Sequence, residues 1–174
     1  MFFIQMSGFP GSGKSTLALE IANRTNCIII DHDVTKSALL HSINEDEING
    51  KPLGGIAYNI DFALVDFYLS QGRNVILDSP CLYDELIDKG TIITQKYNAN
   101  YKYIECYLDD FVEINRRLKT RNKMVSQISE VKSLETFNRT LKSSKRPLNC
   151  KCFSVNSGKS LDTYINEVID YINS

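Results

Sequence analysis

The sequence predicts an α/β domain with a parallel sheet covered by helices on both faces. Three observations lead there. Five short apolar runs alternate with segments of helical period along the chain. Such alternation builds parallel strands joined by helical crossovers. Each conspicuous charged or glycine-rich motif falls just after one of those runs, and ligands of parallel sheets bind at the carboxyl ends of the strands. A chain of 174 residues suits one domain, taken here as 1–174.

The elements follow in order. FFIQM (2–6) is the first strand, and 14–24 reads as a helix with Leu17 and Ile21 one turn apart. CIII (27–30) is the second strand, followed by a short helix over 34–41 that Asp33 is placed to cap. Residues 52–71 form a longer helix with Leu53, Ile56, Ile60, Leu64 and Phe67 along one side. NVILD (74–78) is the third strand, and 84–98 is helical despite Gly90. YKYIECYL (101–108) is the fourth strand, with helices over 109–119 and 129–143. CKCFSV (150–155) is the fifth strand, and Leu161, Tyr164, Ile165, Val168, Ile169 and Ile172 mark the last helix.

Composition narrows the function classes. Hydrophobic residues make up 43% and charged residues 24%, the balance of an ordinary globular protein. The net charge of −1 argues against a protein built mainly to grip nucleic acid. Five cysteines at 27, 81, 106, 150 and 152 read as free thiols, and the C-x-C pair lacks a second pair at zinc spacing. MFFIQM is too short for a signal peptide and no apolar run reaches membrane length, so the expectation is a cytoplasmic protein.

GFPGSGKS (8–15) fits G-x-x-x-x-G-K-[ST] in full, with a strand before it and a helix after it. Gly8, Gly11 and Gly13 let the backbone turn its N–H groups inward on phosphate oxygens, and Ser12 and Thr16 complete the contact set. Lys14 is placed to reach the β- and γ-phosphates, and the Ser15 hydroxyl to ligate Mg2+. Asp78 ends the third strand as a second metal-supporting group, with Ser79 beside it for substrate. A second G-K-S at 158–160 has Phe153 where the first glycine belongs, so it forms no phosphate nest. The nearest approach to the guanine-reading N-K-x-D is Asn122-Lys123-Met124-Val125, which lacks the aspartate; ATP is the expected donor.

GFPGSGKS, then D-x-D-x-x-K from Asp31 through Asp33 to Lys36, then the acidic end of the third strand, resembles the P-loop kinases of small molecules and polynucleotide 5′-hydroxyls. Adenylylsulfate kinases, gluconate-type kinases and zeta-toxin-type kinases share this layout, which spans nearly the whole chain. The resemblance implies a P-loop NTPase fold with strand order 2-3-1-4-5 and a helical lid over about 116–130. It implies that Asp33 is the general base and that Lys36, where the group often has arginine, faces an anionic part of the acceptor. Asp31 then contacts acceptor, water or metal, and His32 is structural or touches substrate.

By the same resemblance, Arg117 and Arg121 of RRLKTRNK, four residues apart on one helical face, are lid arginines, with Arg116 the alternative to Arg117. Asn156, Ser157 and Gly158 border the adenine, and Lys145-Arg146 lies near the nucleotide. Residues 37–71 line the acceptor pocket, with Tyr58, Asn59 and Asp61 as contacts. The implied activity is transfer of the γ-phosphate of Mg-ATP to a hydroxyl of a small molecule. A nucleic-acid 5′-hydroxyl is the alternative acceptor, and a nucleotide-binding regulatory NTPase the alternative class.

Overall fold

The first strand, β1 (Phe2–Ser7), buries all six of its residues, which requires strands on both edges and helices on both faces. The computed structural model, which describes residues 1–43, 51–148 and 150–174, supplies both. Residues 44–50, within the segment expected to line the acceptor pocket, lie outside the described residues.

Strands β2 (Ile28–Asp31), β3 (Val75–Asp78), β4 (Asn100–Tyr107) and β5 (Cys152–Asn156) join β1 in one sheet of order β2-β3-β1-β4-β5. All four pairings are parallel, as the alternation predicted, and the order is the one the resemblance implied. Alternate β1 residues feed opposite cores. Ile4 and Met6 pack with Leu17, Ile21, Ile104 and Val168, so that face carries α1 (Lys14–Thr25) and the C-terminal helix. Phe3 packs with Phe62, Val65, Leu77, Leu86 and Tyr103 on the other. Each large side chain buried there contributes roughly 1.5–3 kcal/mol. A third cluster of Phe9, Leu108, Ile114, Leu118, Val131 and Phe137 seats α5 (Phe111–Thr120) and α6 (Leu134–Ser143) against the phosphate loop.

Several expectations shift. The helix after β2, α2, runs His32–Ser42 and is capped by Asp31, whose carboxylate accepts from the Asp33 N–H at 2.8 Å; Asp33 is not the cap. α3 (Lys51–Ser70) buries Leu53, Ala57, Tyr58, Asp61, Phe62, Val65 and Leu69. Of the stripe read from sequence, Ile56, Ile60, Leu64 and Phe67 are exposed. The helix is apolar on two faces, so periodicity alone selected the outer one. α6 begins at Leu134 rather than 129, because Ser133 caps it through the Thr136 N–H. Leu161–Thr163 is a 3-10 turn before the last helix, α7 (Ile165–Asn173).

Gly90 is accommodated inside α4 (Asp84–Lys96) because a β-carbon there would stand 2.7 Å from Gln5 Oε1 and 2.9 Å from the Tyr101 hydroxyl. All five cysteines are free, three of them buried. No helix among the described residues is long and apolar enough to cross a membrane.

Gly8 is where β1 leaves the sheet, at φ 137°, and a β-carbon on it would lie 2.2 Å from the Cys106 carbonyl oxygen. Gly8→Ala is therefore expected to cost on the order of 2–6 kcal/mol through backbone strain and overpacking. Scanning calorimetry without nucleotide reads this as a melting temperature lowered by more than about 5 °C, with an unchanged melt returning Gly8 to an ordinary turn.

Candidate functional site

The phosphate loop is built from its glycines. Gly8, Gly11 and Gly13 have φ of 137°, 85° and 87°, which bends the chain around a concave line of N–H groups. Gly13 precedes α1, which has no side-chain cap, so its first amides remain available to an anion. Lys14 Nζ folds back on the loop, donating to the carbonyls of Gly8 at 2.9 Å and Phe9 at 3.2 Å. Ser12 Oγ is buried and without a partner among the described residues.

The loop opens on a cleft of about 1180 Å3. Gly11, Gly13, Lys14, Ser15 and Thr16 line one side; Asp31, Asp33, Lys36, Asp78 and Ser79 continue the wall. Gly8 and Ser12 lie behind it and shape the loop rather than the surface.

Parallel register sets Asp31 directly beside Asp78. Burial is the main force raising the Asp78 carboxyl, opposed by the Lys14 ammonium and a hydrogen bond with Ser15. Burial also pushes Asp31 up to about 6, and the neighbouring Asp78 charge adds to it. A hard cation suits this place. Asp78 and the Ser15 hydroxyl line the same cleft, both are oxygen ligands, and Lys14 offsets only part of the buried negative charge. Mg2+ is commonly held by one or two protein oxygens, with water and phosphate supplying the rest.

The far wall comes from the segment after β4. Arg117 donates through Nε to Glu113 at 2.8 Å and through Nη2 to the Ser157 carbonyl at 3.0 Å. A β-carbon on Gly13 would stand 3.9 Å from its Nη1, so Arg117 hangs over the phosphate loop. Arg116 turns outward, forked on Glu113 with its side chain 63% exposed. Arg121 does not share a helical face with Arg117, because α5 stops at Thr120 and Arg121 sits in extended backbone. It still lines the cleft, donating to the Ile128 carbonyl at 2.9 Å. Burial lowers its guanidinium from its ordinary value while the Asp33 charge pulls the other way.

Sequence reasoning missed what holds Asp33. Ser126 Oγ donates to Asp33 Oδ1 at 3.2 Å, and Gln127 Nε2 donates to Oδ2 at 2.8 Å. Ser37 donates to Ser126 at 2.9 Å, tying the segment to α2. No sequence signal joins residues more than ninety positions apart.

The remaining predicted residues sort cleanly. Lys36, Tyr58 and Asn59 line the cleft. Asp61 does not: it is fully buried, meets His32 Nδ1 at 2.7 Å, and holds that ring stacked on Tyr58 at 3.8 Å. Asn156 and Gly158 also stay off the cleft wall, Asn156 accepting from the Gly158 N–H, while Ser157, Lys159 and Tyr164 form that side. Lys145 and Arg146 pair with Asp84 and Glu105 away from the cleft.

A family model described as "AAA domain" matches residues 3–147. No curated protein matches the sequence significantly. Among solved structures, a protein assigned as a kinase from Chloroflexus aurantiacus superposes with a TM-score of 0.78 at 15% identity, covering 98% of this chain and 97% of that one. A sugar kinase from Janibacter sp. gives 0.71 at 14% identity, covering 99% and 95%. The Mycobacterium tuberculosis APS kinase CysC, in complex with AMPPNP and APS, gives 0.66 at 15% identity, covering 99% and 98%. These likenesses establish the fold.

The raised Asp31 carboxyl carries a stability consequence. The folded protein holds more protons than the unfolded chain between about 3.8 and about 6, so stability falls as pH rises through that window. Asp31→Asn keeps a capping side chain and removes the charge. In metal-free protein at pH 8 it should gain on the order of 1 kcal/mol after solvent screening, or about 2–4 °C in melting temperature. The gain should vanish by pH 4; a pH-independent difference would remove the electrostatic account.

Proposed function

This chain belongs to the AAA domain family, AAA_33, and from that premise we propose that it is an ATP-dependent phosphotransferase acting on a hydroxyl of a small molecule. One observation carries the proposal: a complete phosphate loop and an independently held carboxylate, Asp33, line the same cleft.

The division of labour follows from the walls. The amides of Gly11 and Gly13 and the start of α1 take the donor phosphates. Lys14 exchanges its two carbonyl partners for phosphate oxygens. Ser15 and Asp78 would hold Mg2+, which supplies positive charge to the phosphates of the bound nucleotide. Arg117 and Arg121 bring further positive charge to the opposite wall, where charge spreads over the transferred group.

The acceptor oxygen attacks the γ-phosphorus, the bond from that phosphorus to the bridging oxygen breaks, and ADP leaves. The acceptor proton passes to a carboxylate oxygen of Asp33. Gln127 and Ser126 keep that carboxylate turned toward the lid, so base position and lid position are set together. Lys36 adds a point charge on the acceptor side rather than a two-pronged grip. That makes a weaker demand for a phosphate or sulfate on the acceptor.

Two variants separate the roles. Lys14→Ala should lose ATP binding in calorimetry, and an unchanged isotherm would dissociate the loop from nucleotide. Asp33→Asn should bind ATP normally yet transfer about a hundredfold more slowly or worse. ADP release is measured against hydroxyl metabolites and a 5′-hydroxyl oligonucleotide. Release that no acceptor stimulates would favour a regulatory NTPase, and stimulation by the oligonucleotide alone would move the acceptor class to nucleic acid.

A further inference from the structure

We propose that a second cavity, behind the phosphate loop, receives an uncharged ring-bearing body of the acceptor while its hydroxyl stays in the main cleft. This rests on the phosphotransferase reading and names the acceptor class. The cavity is about 410 Å3. It adjoins the main cleft, because Pro10, Pro80, Leu82 and Ile128 line both. A space of about 150 Å3 holds a benzene ring, so this one has room for a substituted or fused ring.

The walls define the chemistry. Phe9, Pro10, Pro80, Leu82, Cys106 and Leu141 give an apolar surface. Two hydroxyls on the wall are already engaged: Thr140 donates to the Thr136 carbonyl at 2.9 Å, and Ser144 pairs with Ser7 at 3.1 Å. The Thr136 hydroxyl accepts from Ser133, and the Tyr107 hydroxyl has no hydrogen bond among the described residues, so both can still donate to a neutral ligand.

Glu105 is different. It is only 6% exposed and lines the cavity. Its Oε2 accepts from Arg146 and from Ser154, while no hydrogen bond to Oε1 occurs among the described residues. A nearly buried carboxylate oxygen with spare accepting capacity selects a neutral group with an N–H or O–H. Arg146 already balances its charge, so a cation is not required. Glu105 and Glu130 oppose an anion, and Lys132 on the same wall offsets part of that charge, so a neutral body fits best. Lys36 in the cleft is consistent with this, since a single ammonium makes a weaker demand for an anionic acceptor than a guanidinium fork.

The probes are 4-aminobenzyl alcohol, benzyl alcohol and glycerol. Binding is read by calorimetry with ADP present, and transfer by ADP release from ATP. 4-Aminobenzyl alcohol should exceed glycerol in kcat/KM by about tenfold or more, with benzyl alcohol between them for want of the donor to Glu105. Thr140→Trp fills the cavity from α6 and should erase the order while ATP affinity is unchanged. Thr136→Trp, on the exposed rim of the same helix, serves if the first variant does not fold.

Equal values across the three alcohols in the wild type, or an order that survives both variants, overturns the proposal. So does a 5′-hydroxyl dinucleotide that outcompetes every ring alcohol. Ring-alcohol binding that the tryptophan variants abolish, without release from any hydroxyl acceptor, supports the cavity and sinks the phosphotransferase reading. Glycerol turnover without ring-alcohol binding does the reverse.

Discussion

The parallel register that sets Asp31 beside Asp78 is the constraint on which the site depends. Adjacent strands lie about 4.8 Å apart, so two carboxylates end up close together at the sheet's carboxyl edge. Burial holds both pKa values up, and the Asp78 charge adds to the rise at Asp31. Lys14 and Ser15 offset part of it. The fold tolerates this cost because β1 and β3 are fully buried and fix the edge rigidly. A site with surplus negative charge in low dielectric is ready for a cation, and a cation is what phosphate chemistry needs there.

The segment over about 116–130, helical only as far as Thr120, is coupled to this edge by packing as well as by charge. Leu118 of α5 sits so close to Gly11 that a β-carbon would lie 3.3 Å from it. The same helix carries Arg117 over Gly13, and the chain that follows brings Ser126 and Gln127 to Asp33. The third apolar cluster, through Phe9, Leu118 and Phe137, makes the phosphate loop, α5 and α6 parts of one packed unit. A displacement of α5 therefore disturbs the phosphate loop and the Asp33 contacts together.

What was legible in the sequence was local. The phosphate loop was readable because its glycines, lysine and serine act within eight consecutive residues. Strand order followed from resemblance, and the sheet has it. The failures share a physical cause. α3 presents apolar residues on two faces, and a period cannot say which one meets the sheet. Arg121 leaves the helix because α5 ends at Thr120, a boundary that a basic run conceals. Asp61 looked like a polar residue awaiting a ligand, but its partner is His32, 29 residues earlier. Gln127 carried no motif, since its contact with Asp33, 94 positions away, exists only in the folded chain.

The two sides of the cleft are therefore built by different means. The phosphate-loop side is mostly backbone, shaped by glycines whose conformations few other residues adopt, so a short motif records it. The opposite side is held by side chains from separate elements. His32 and Asp61 lock α2 to α3, Tyr58 stacks on His32 and donates to the Pro80 carbonyl at 2.9 Å, and that carbonyl belongs to a residue lining both cavities. Each of these contacts can be exchanged without touching the phosphate loop. Under the phosphotransferase reading proposed above, the acceptor is accordingly the part that a motif does not name.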